Sequence, residues 1–489
     1  MMRYISTRGE AAPVDFETAV LQGFAPDGGL YVPEKIPPIS KEELESWASL
    51  SFVDLAFQIL SRFIDADVIS AADLRRLLRE SFSEFGHPDI ASVVPLESKP
   101  NVYVLELFHG PTLSFKDMAM GFLLNAVDFF LKRRSDWVSL VVATTGDTGP
   151  AAAHAATGKA CIECWTLYPQ GMISEEQARQ MTTLEARNVH ALAVAACPDG
   201  GDDLDRVLTR MFADAPLKAQ LKLSSVNSIN WGRVMVQAVH YFYGYFRVAG
   251  GLDEKIAFSV PAGAFGNLFG GYLARRMGLP VETFICANNQ NATLHQAISR
   301  GCFSKADLKP SLSSAIDIVV PYNFWRYLYF ASGRDHRKVR GWMDQFASEG
   351  HVKLDSVSAG RIKAGFKSAS ISDEQTLEVI SDLYHSRDRY VIDPHGAVAL
   401  AAAEALSNCL EPEMKVVCLA TAHPAKFPEV IRKALGNNEA LPARASHPSI
   451  EAARDLCQRL RLCSLPTLAP ALTRAMQSVA KQRRSPCSE

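Results

Sequence analysis

The chain has 489 residues, enough for about three domains at ~150 residues each and for a large buried core. Hydrophobic residues make up 48% and charged residues 21%, which excludes general disorder and suits a soluble globular protein. Lys and Arg number 51 against 53 Asp and Glu, and a net charge of −2 gives no electrostatic reason to expect a nucleic acid or an anionic membrane as partner.

The first 95 residues read as a unit of their own. Their opening, MMRYISTRGEAAPVDF, lacks the apolar stretch of a secretory signal, and no run approaches the ~20 apolar residues of a membrane span. The ten cysteines are dispersed and do not look like a disulfide framework, so the expected compartment is the cytoplasm. Pro26-Asp27-Gly28-Gly29 is a turn leading into an extended 30–33 segment, and Phe52–Leu60 carries a helical pattern. From about residue 100, short β-rich runs alternate with helical stretches. Strands are expected over 102–107, 138–143, 160–167, 189–195, 256–260, 281–287 and 415–419. Several are nearly continuous apolar runs, as strands covered on both faces require. The fold class is therefore α/β with a mainly parallel sheet. Cys161 and Cys164 sit in one of these runs and read as two reduced structural thiols.

Ligands of parallel sheets gather at loops beyond the strand carboxyl ends. The loop after the 256–260 strand holds Gly263, Ala264, Phe265, Gly266 and Asn267 before a helical pattern. Two glycines three apart let backbone approach a ligand closely, and the helix start offers free N–H groups. That describes a phosphate cradle, or a tight turn with no ligand. Thr144, Thr145, Gly146, Asp147 and Thr148 follow the 138–143 strand and could hold a carboxylate, or simply cap a helix. Lys116 precedes the apolar run 118–124, in what would be a first helical turn. A cation there opposes the helix dipole, which hints at a function beyond a solvated lysine. A Schiff-base lysine needs partial burial and a lowered pKa. The acidic segment 199–203 lacks EF-hand spacing, and no metal-ligand set stands out. His109 and His423 flank the region and read as structural hydrogen-bonding residues.

Six segments in order carry more information than their parts. They are Tyr4-Ile5-Ser6-Thr7-Arg8-Gly9, residues 23–33, Phe108-His109-Gly110-Pro111-Thr112 with Ser114-Phe115-Lys116-Asp117, Thr145-Gly146-Asp147-Thr148-Gly149, Asn227-Ser228-Ile229-Asn230-Trp231, and residues 420–427. Over nearly the whole chain they resemble the threonine synthases, pyridoxal-phosphate (PLP) enzymes of the tryptophan-synthase-β, or fold-type II, group. The resemblance implies two parallel-sheet lobes with an N-terminal α+β extension and a helical C-terminal tail. It places an N-terminal domain at 1–95, a smaller α/β domain carrying the PLP lysine at 96–225, a larger one carrying the phosphate loop at 226–437, and a helical extension at 438–489. It implies that Lys116 forms the Schiff base with PLP. Gly263, Ala264, Phe265, Gly266 and Asn267 would hold the PLP phosphate, and Thr421 would hydrogen-bond the ring nitrogen. Thr144, Thr145, Gly146, Asp147 and Thr148 would take the substrate carboxylate. Asn227, Ser228, Asn230 and Arg233 would take the substrate phosphate. The planar fork of Arg233 suits that task, with a structural helix salt bridge as the other reading.

The implied reaction is O-phospho-L-homoserine plus water to L-threonine plus phosphate, the last step of threonine biosynthesis, by a monomer or homodimer. The chain departs from the family pattern in several loops. Ala262 and Ala264 replace Thr and Asn in the phosphate loop, and Ser314, Ile316, Trp325 and Gly396 replace Pro, Met, Glu and Thr elsewhere. Backbone donors survive these changes and side-chain donors do not. A paralogous phospho-lyase or γ-replacement enzyme, or a PLP-binding pseudoenzyme, are the alternatives. The basic run Lys481-Gln482-Arg483-Arg484 reads as a frayed terminus.

Overall fold

Two sheets organise the chain, and the computed structural model describes residues 1–436 and 440–482. The first sheet has six strands, in spatial order Phe366–Ser370, Val281–Asn288, Ile256–Pro261, Val416–Ala420, Val102–Glu106 and Ser92–Pro95. All neighbours are parallel except the last pair. The second sheet has five parallel strands, Leu460–Ser464, Val189–Ala195, Ile162–Pro169, Val138–Ala143 and Leu223–Ser224. Every residue of Ile162–Pro169 and of Ile256–Pro261 is buried, which is why these strands read as unbroken apolar runs. All seven strands expected from sequence are present, each within two residues of its expected ends.

The strand leading to Lys116, Val102–Glu106, pairs with Val416–Ala420 and so belongs to the six-strand sheet. The expected unit 96–225 is thus divided between the two sheets. The C-terminal segment, expected as helical, forms the helix Leu468–Gln482 but also adds Leu460–Ser464 to an edge of the five-strand sheet. The expected boundary at 437–438 lies outside the described residues, as do Arg483 and Arg484 of the basic run. Cys164 is a buried free thiol, whereas Cys161 is disulfide-bonded, which corrects the expectation of a reduced pair.

The N-terminal segment pairs Tyr4–Ser6 with Tyr31–Pro33 and shares the main core rather than building its own. Tyr4 meets Trp231 with ring centroids 5.8 Å apart, and Phe52 meets Tyr243 at 5.3 Å, so the segment packs on the helix Trp231–Val248. Among the described residues no helix is long and apolar enough to cross a membrane.

Candidate active site

Three helices follow loops that leave strand ends: Asp117–Arg133, Thr148–Ala156 and Gly266–Met277. None has a side-chain hydrogen bond at its N-cap. Elsewhere in the chain Ser51, Ser70, Ser174 and Asp393 do cap their helices. Uncapped starts leave N–H donors for anions. The loops before all three helices line one cavity of about 1250 Å³.

Lys116 stands at the first of these starts. Its loop is pinned by Asp117, whose carboxylate accepts from Thr112 N at 2.9 Å and Thr112 Oγ1 at 2.6 Å. Gly110 is required beside it, because a Cβ there would sit 2.5 Å from Asp117 Cβ. Phe115 N donates to the Thr421 carbonyl at 2.8 Å, which ties the Lys116 loop to the end of the central strand. Lys116 Nζ lies 4.7 Å from the centre of the Phe115 ring and 3.8 Å from Asp147 Oδ2. Burial pushes its ammonium down to about 8, against an upward pull from Asp147 and with help from Arg233 and Lys426.

Asp147 does not cap its helix. Its Oδ1 accepts from Lys426 Nζ at 2.6 Å and from Gln177 Nε2 at 2.9 Å. Burial works to raise this carboxyl, but the Lys426 and Lys116 ammoniums outweigh it and hold it well below the usual carboxylate range. Thr144 spends its hydroxyl on the loop itself, accepting from Gly146 N and Gly149 N at 3.1 Å and donating to Gly146 O at 2.9 Å. Thr145, Gly146 and Thr148 face the cavity with it.

In the 263–267 loop, Phe265 has φ +63°, and the Ala264 carbonyl accepts from Asn323 N at 3.1 Å. A Cβ on Gly263 would lie 3.0 Å from Ile318 Cδ1 and 3.1 Å from Ile316 Cα, so the segment 316–318 packs directly over this loop. Asn267 Oδ1 accepts from His240 Nε2 at 2.8 Å and Tyr241 OH at 2.9 Å. Burial pushes His240 down to about 4, so its ring is neutral at pH 7.

Asn227, Ser228, Arg233 and Thr421 also line the cavity. Arg233 is 2% exposed, donates Nη1 to Val226 O at 3.3 Å, and has no charge partner among the described residues. Burial alone pushes it down to about 10, which leaves it charged at pH 7, and no helix salt bridge reaches it among the described residues. Asn230 is the exception among the expected residues. Its side chain donates to Val20 O at 2.8 Å and accepts from Gly232 N at 3.0 Å, capping a helix and anchoring the N-terminal segment away from the cavity. Sequence reading missed Gln177, Lys426 and His395 as site residues. His395 lines the cavity, holds Asp393 Oδ1 at 2.8 Å through Nδ1, and accepts from Ala315 N at Nε2 at 3.1 Å. Only the Asp393-Pro394 helix start signalled it.

Several buried polar atoms of this lining have no protein partner among the described residues: Arg233 Nε, Asn227 Oδ1 and Asn267 Nδ2. Buried polar atoms are normally satisfied, so these mark where a polar ligand completes the site. Together with the uncapped helix and the lysine, whose side chain is 13% exposed, they fit a phosphorylated, aldehyde-bearing cofactor such as PLP and an anionic substrate.

Comparison with known proteins agrees. Residues 3–82 match the family model "Threonine synthase N terminus", 93–422 match "Pyridoxal-phosphate dependent enzyme", and 396–456 match "Threonine synthase, C-terminal". A threonine synthase of Pseudomonas aeruginosa is 40% identical over 95% of both chains. A threonine synthase-like 2 protein of Xenopus laevis is 38% identical, covering 88% of this chain and 90% of its own. Among solved structures, PLP-bound threonine synthase from Brucella melitensis superposes with TM-score 0.89 at 35% identity, covering 98% of this chain and 99% of that one. Threonine synthase from yeast gives 0.90 at 33% identity with the same coverage. The chain belongs to the threonine synthase family, and it is a PLP-dependent lyase of that type.

Proposed function

We propose that this chain converts O-phospho-L-homoserine and water into L-threonine and inorganic phosphate. The observation that carries the reading is convergence on one cavity of a lysine only 13% exposed, a glycine loop at an uncapped helix, and a buried arginine with no charge partner among the described residues. Lys116 is then the lysine that holds PLP. The backbone N–H groups of Gly263, Ala264, Phe265, Gly266 and Asn267 take the PLP phosphate, and Thr421 offers a hydroxyl to the ring nitrogen. When bound, PLP supplies an electron sink for negative charge developing on the amino-acid carbons. Thr145, Gly146 and Thr148 take the substrate carboxylate, with Thr144 and Asp147 shaping the loop. Arg233, Asn227 and Ser228 take the departing phosphate. The Lys116 amine moves protons at the substrate's Cα and Cβ, while the Cγ–O bond breaks and water adds at Cβ. A proton affinity near pH 8 lets one amine both accept and return protons. The same reading carries a cytoplasmic enzyme, monomer or homodimer, acting on a small phosphorylated amino acid without nucleic acid.

The test is an assay of phosphate release and amino-acid product with O-phospho-L-homoserine. Threonine and phosphate in equal amounts are expected. Phosphate without threonine, or release only from another phosphorylated amino acid, moves the reading to a paralogous phospho-lyase. Two observations favour that second reading. Ile316 and Ile318 form an apolar wall of the cavity, and the threonine synthase-like 2 relatives are about as similar as several of the synthases. Purified protein that takes up no PLP would overturn both.

A further inference from the structure

Lys426 is 0% exposed, in the short turn Pro424–Lys426. A buried ammonium is costly unless paired and hydrogen-bonded. Its Nζ donates to Asp147 Oδ1 at 2.6 Å and to the Thr112 carbonyl at 2.8 Å. Gln177 Nε2 donates to the same carboxylate oxygen at 2.9 Å. With Oδ1 engaged from that side, Oδ2 is the oxygen turned to Lys116, 3.8 Å away. Stability alone gives little reason for this pair, since apolar residues of similar volume can replace a buried ion pair without loss. Thr112 also belongs to the loop that carries Lys116, so Lys426 grips both sides of that amine's surroundings.

We propose that Lys426 is a positioning residue for Lys116: it fixes the Asp147 carboxylate and offsets its charge where that carboxylate faces the Lys116 amine. The inference rests on Lys116 being the PLP lysine. The charged groups facing that amine are Asp147 and Lys426, Arg233 of the helix Trp231–Val248, and Asp393 ahead of the helix Pro394–Ala405. Removing Lys426 leaves two carboxylates against a single cation, which favours the protonated amine.

The experiment follows PLP capture by the apo-protein across pH, read as growth of the visible absorbance band. The neutral amine is the reactive form, so capture rises through the amine's midpoint, near pH 8 in the parent. In Lys426→Met the midpoint is expected to move alkaline by about one pH unit, an approximately tenfold loss of capture below the midpoint. Lys426→Arg, which keeps the charge, is expected to restore it. If Lys426→Met does not accumulate as folded protein, Lys426→Gln removes the charge while keeping a donor, and the same shift is expected. An unmoved midpoint in a folded, charge-free variant, with only the melting temperature lowered, overturns the proposal. A Lys116→Ala control separates the two levels. A PLP band persisting in that variant defeats the reading of Lys116 itself. Loss of the band there, with an unmoved midpoint in the Lys426 variants, defeats only this inference.

Discussion

Asp147 answers to three partners, and its removal should show in stability before it shows in rate. Asp147→Asn leaves the Lys426 ammonium buried at 0% exposure without its counter-charge. Breaking a buried pair from one side costs about 3–5 kcal/mol, so the unfolding free energy from denaturant titration should fall by that measure, with the midpoint falling in proportion. The double variant Asp147→Asn with Lys426→Met removes both charges and should recover most of the loss. If the double variant is as unstable as the single one, the cost is not the orphaned charge. Lys116 makes a pH-dependent prediction of its own. Its proton affinity falls from 10.5 to about 8 on folding, so between these values the folded apo-protein binds fewer protons than the unfolded chain. Stability must then rise with pH across that window. The penalty is full below pH 8, on the order of 3 kcal/mol, and is relieved toward pH 10.5. Apo Lys116→Met should therefore be more stable than the parent at about pH 7, with the advantage shrinking at about pH 10. A constant difference between the two pH values, measured by equilibrium unfolding, would show that the amine is not desolvated as described.

At the scale of elements, the strand-to-helix joints hold the chemistry, and the 263–267 joint can be tested without touching a side chain donor. Gly263→Ala adds a Cβ 3.0 Å from the mobile tip of Ile318 but also 3.1 Å from the Ile316 backbone, which must give way. The cradle then shifts by tenths of an ångström while the buried core is untouched. A hydrogen bond to a charged group is worth about 1.5–3 kcal/mol, so PLP affinity should drop about 10- to 100-fold with little change in melting temperature. Unchanged affinity by equilibrium dialysis would mean that this loop does not hold the phosphate. The joints were legible in the sequence for a physical reason. Strands such as Ile162–Pro169 are buried on both faces, so they stand out as apolar runs, and the ligand-binding loops follow them directly. Phe366–Ser370 and Leu460–Ser464 were not legible, because edge strands are half exposed and carry polar residues. Asn230 was misread because the same amide that suits a phosphate also caps a helix. Gln177 and Lys426 were missed because their shared partner, Asp147, is brought to them only by the fold.

Over the whole molecule the two sheets divide the work. Lys116, the 263–267 loop and Thr421 all hang from strands of the six-strand sheet, so everything proposed to hold PLP sits on one body. The 144–148 loop hangs from the five-strand sheet, and the helix Gly201–Ala213 on that side reaches the cavity through Gly201, Asp202 and Asp205. That helix is backed by the C-terminal helix Leu468–Gln482, whose Leu472 is 0% exposed in a core shared with Trp165, Leu192 and Leu208. Leu472→Ala removes core volume far from the cofactor and should cost about 2–5 kcal/mol. The loss falls on the five-strand side. The variant should load PLP as tightly as the parent but bind substrate more weakly, raising KM more than it lowers kcat, because the carboxylate loop and its neighbouring helix lose their rigid backing. On heating, substrate binding should fail before the visible PLP band does. If both signals disappear in a single coincident transition with KM unchanged beforehand, the two sheets unfold as one cooperative unit and the division of labour between them is not real.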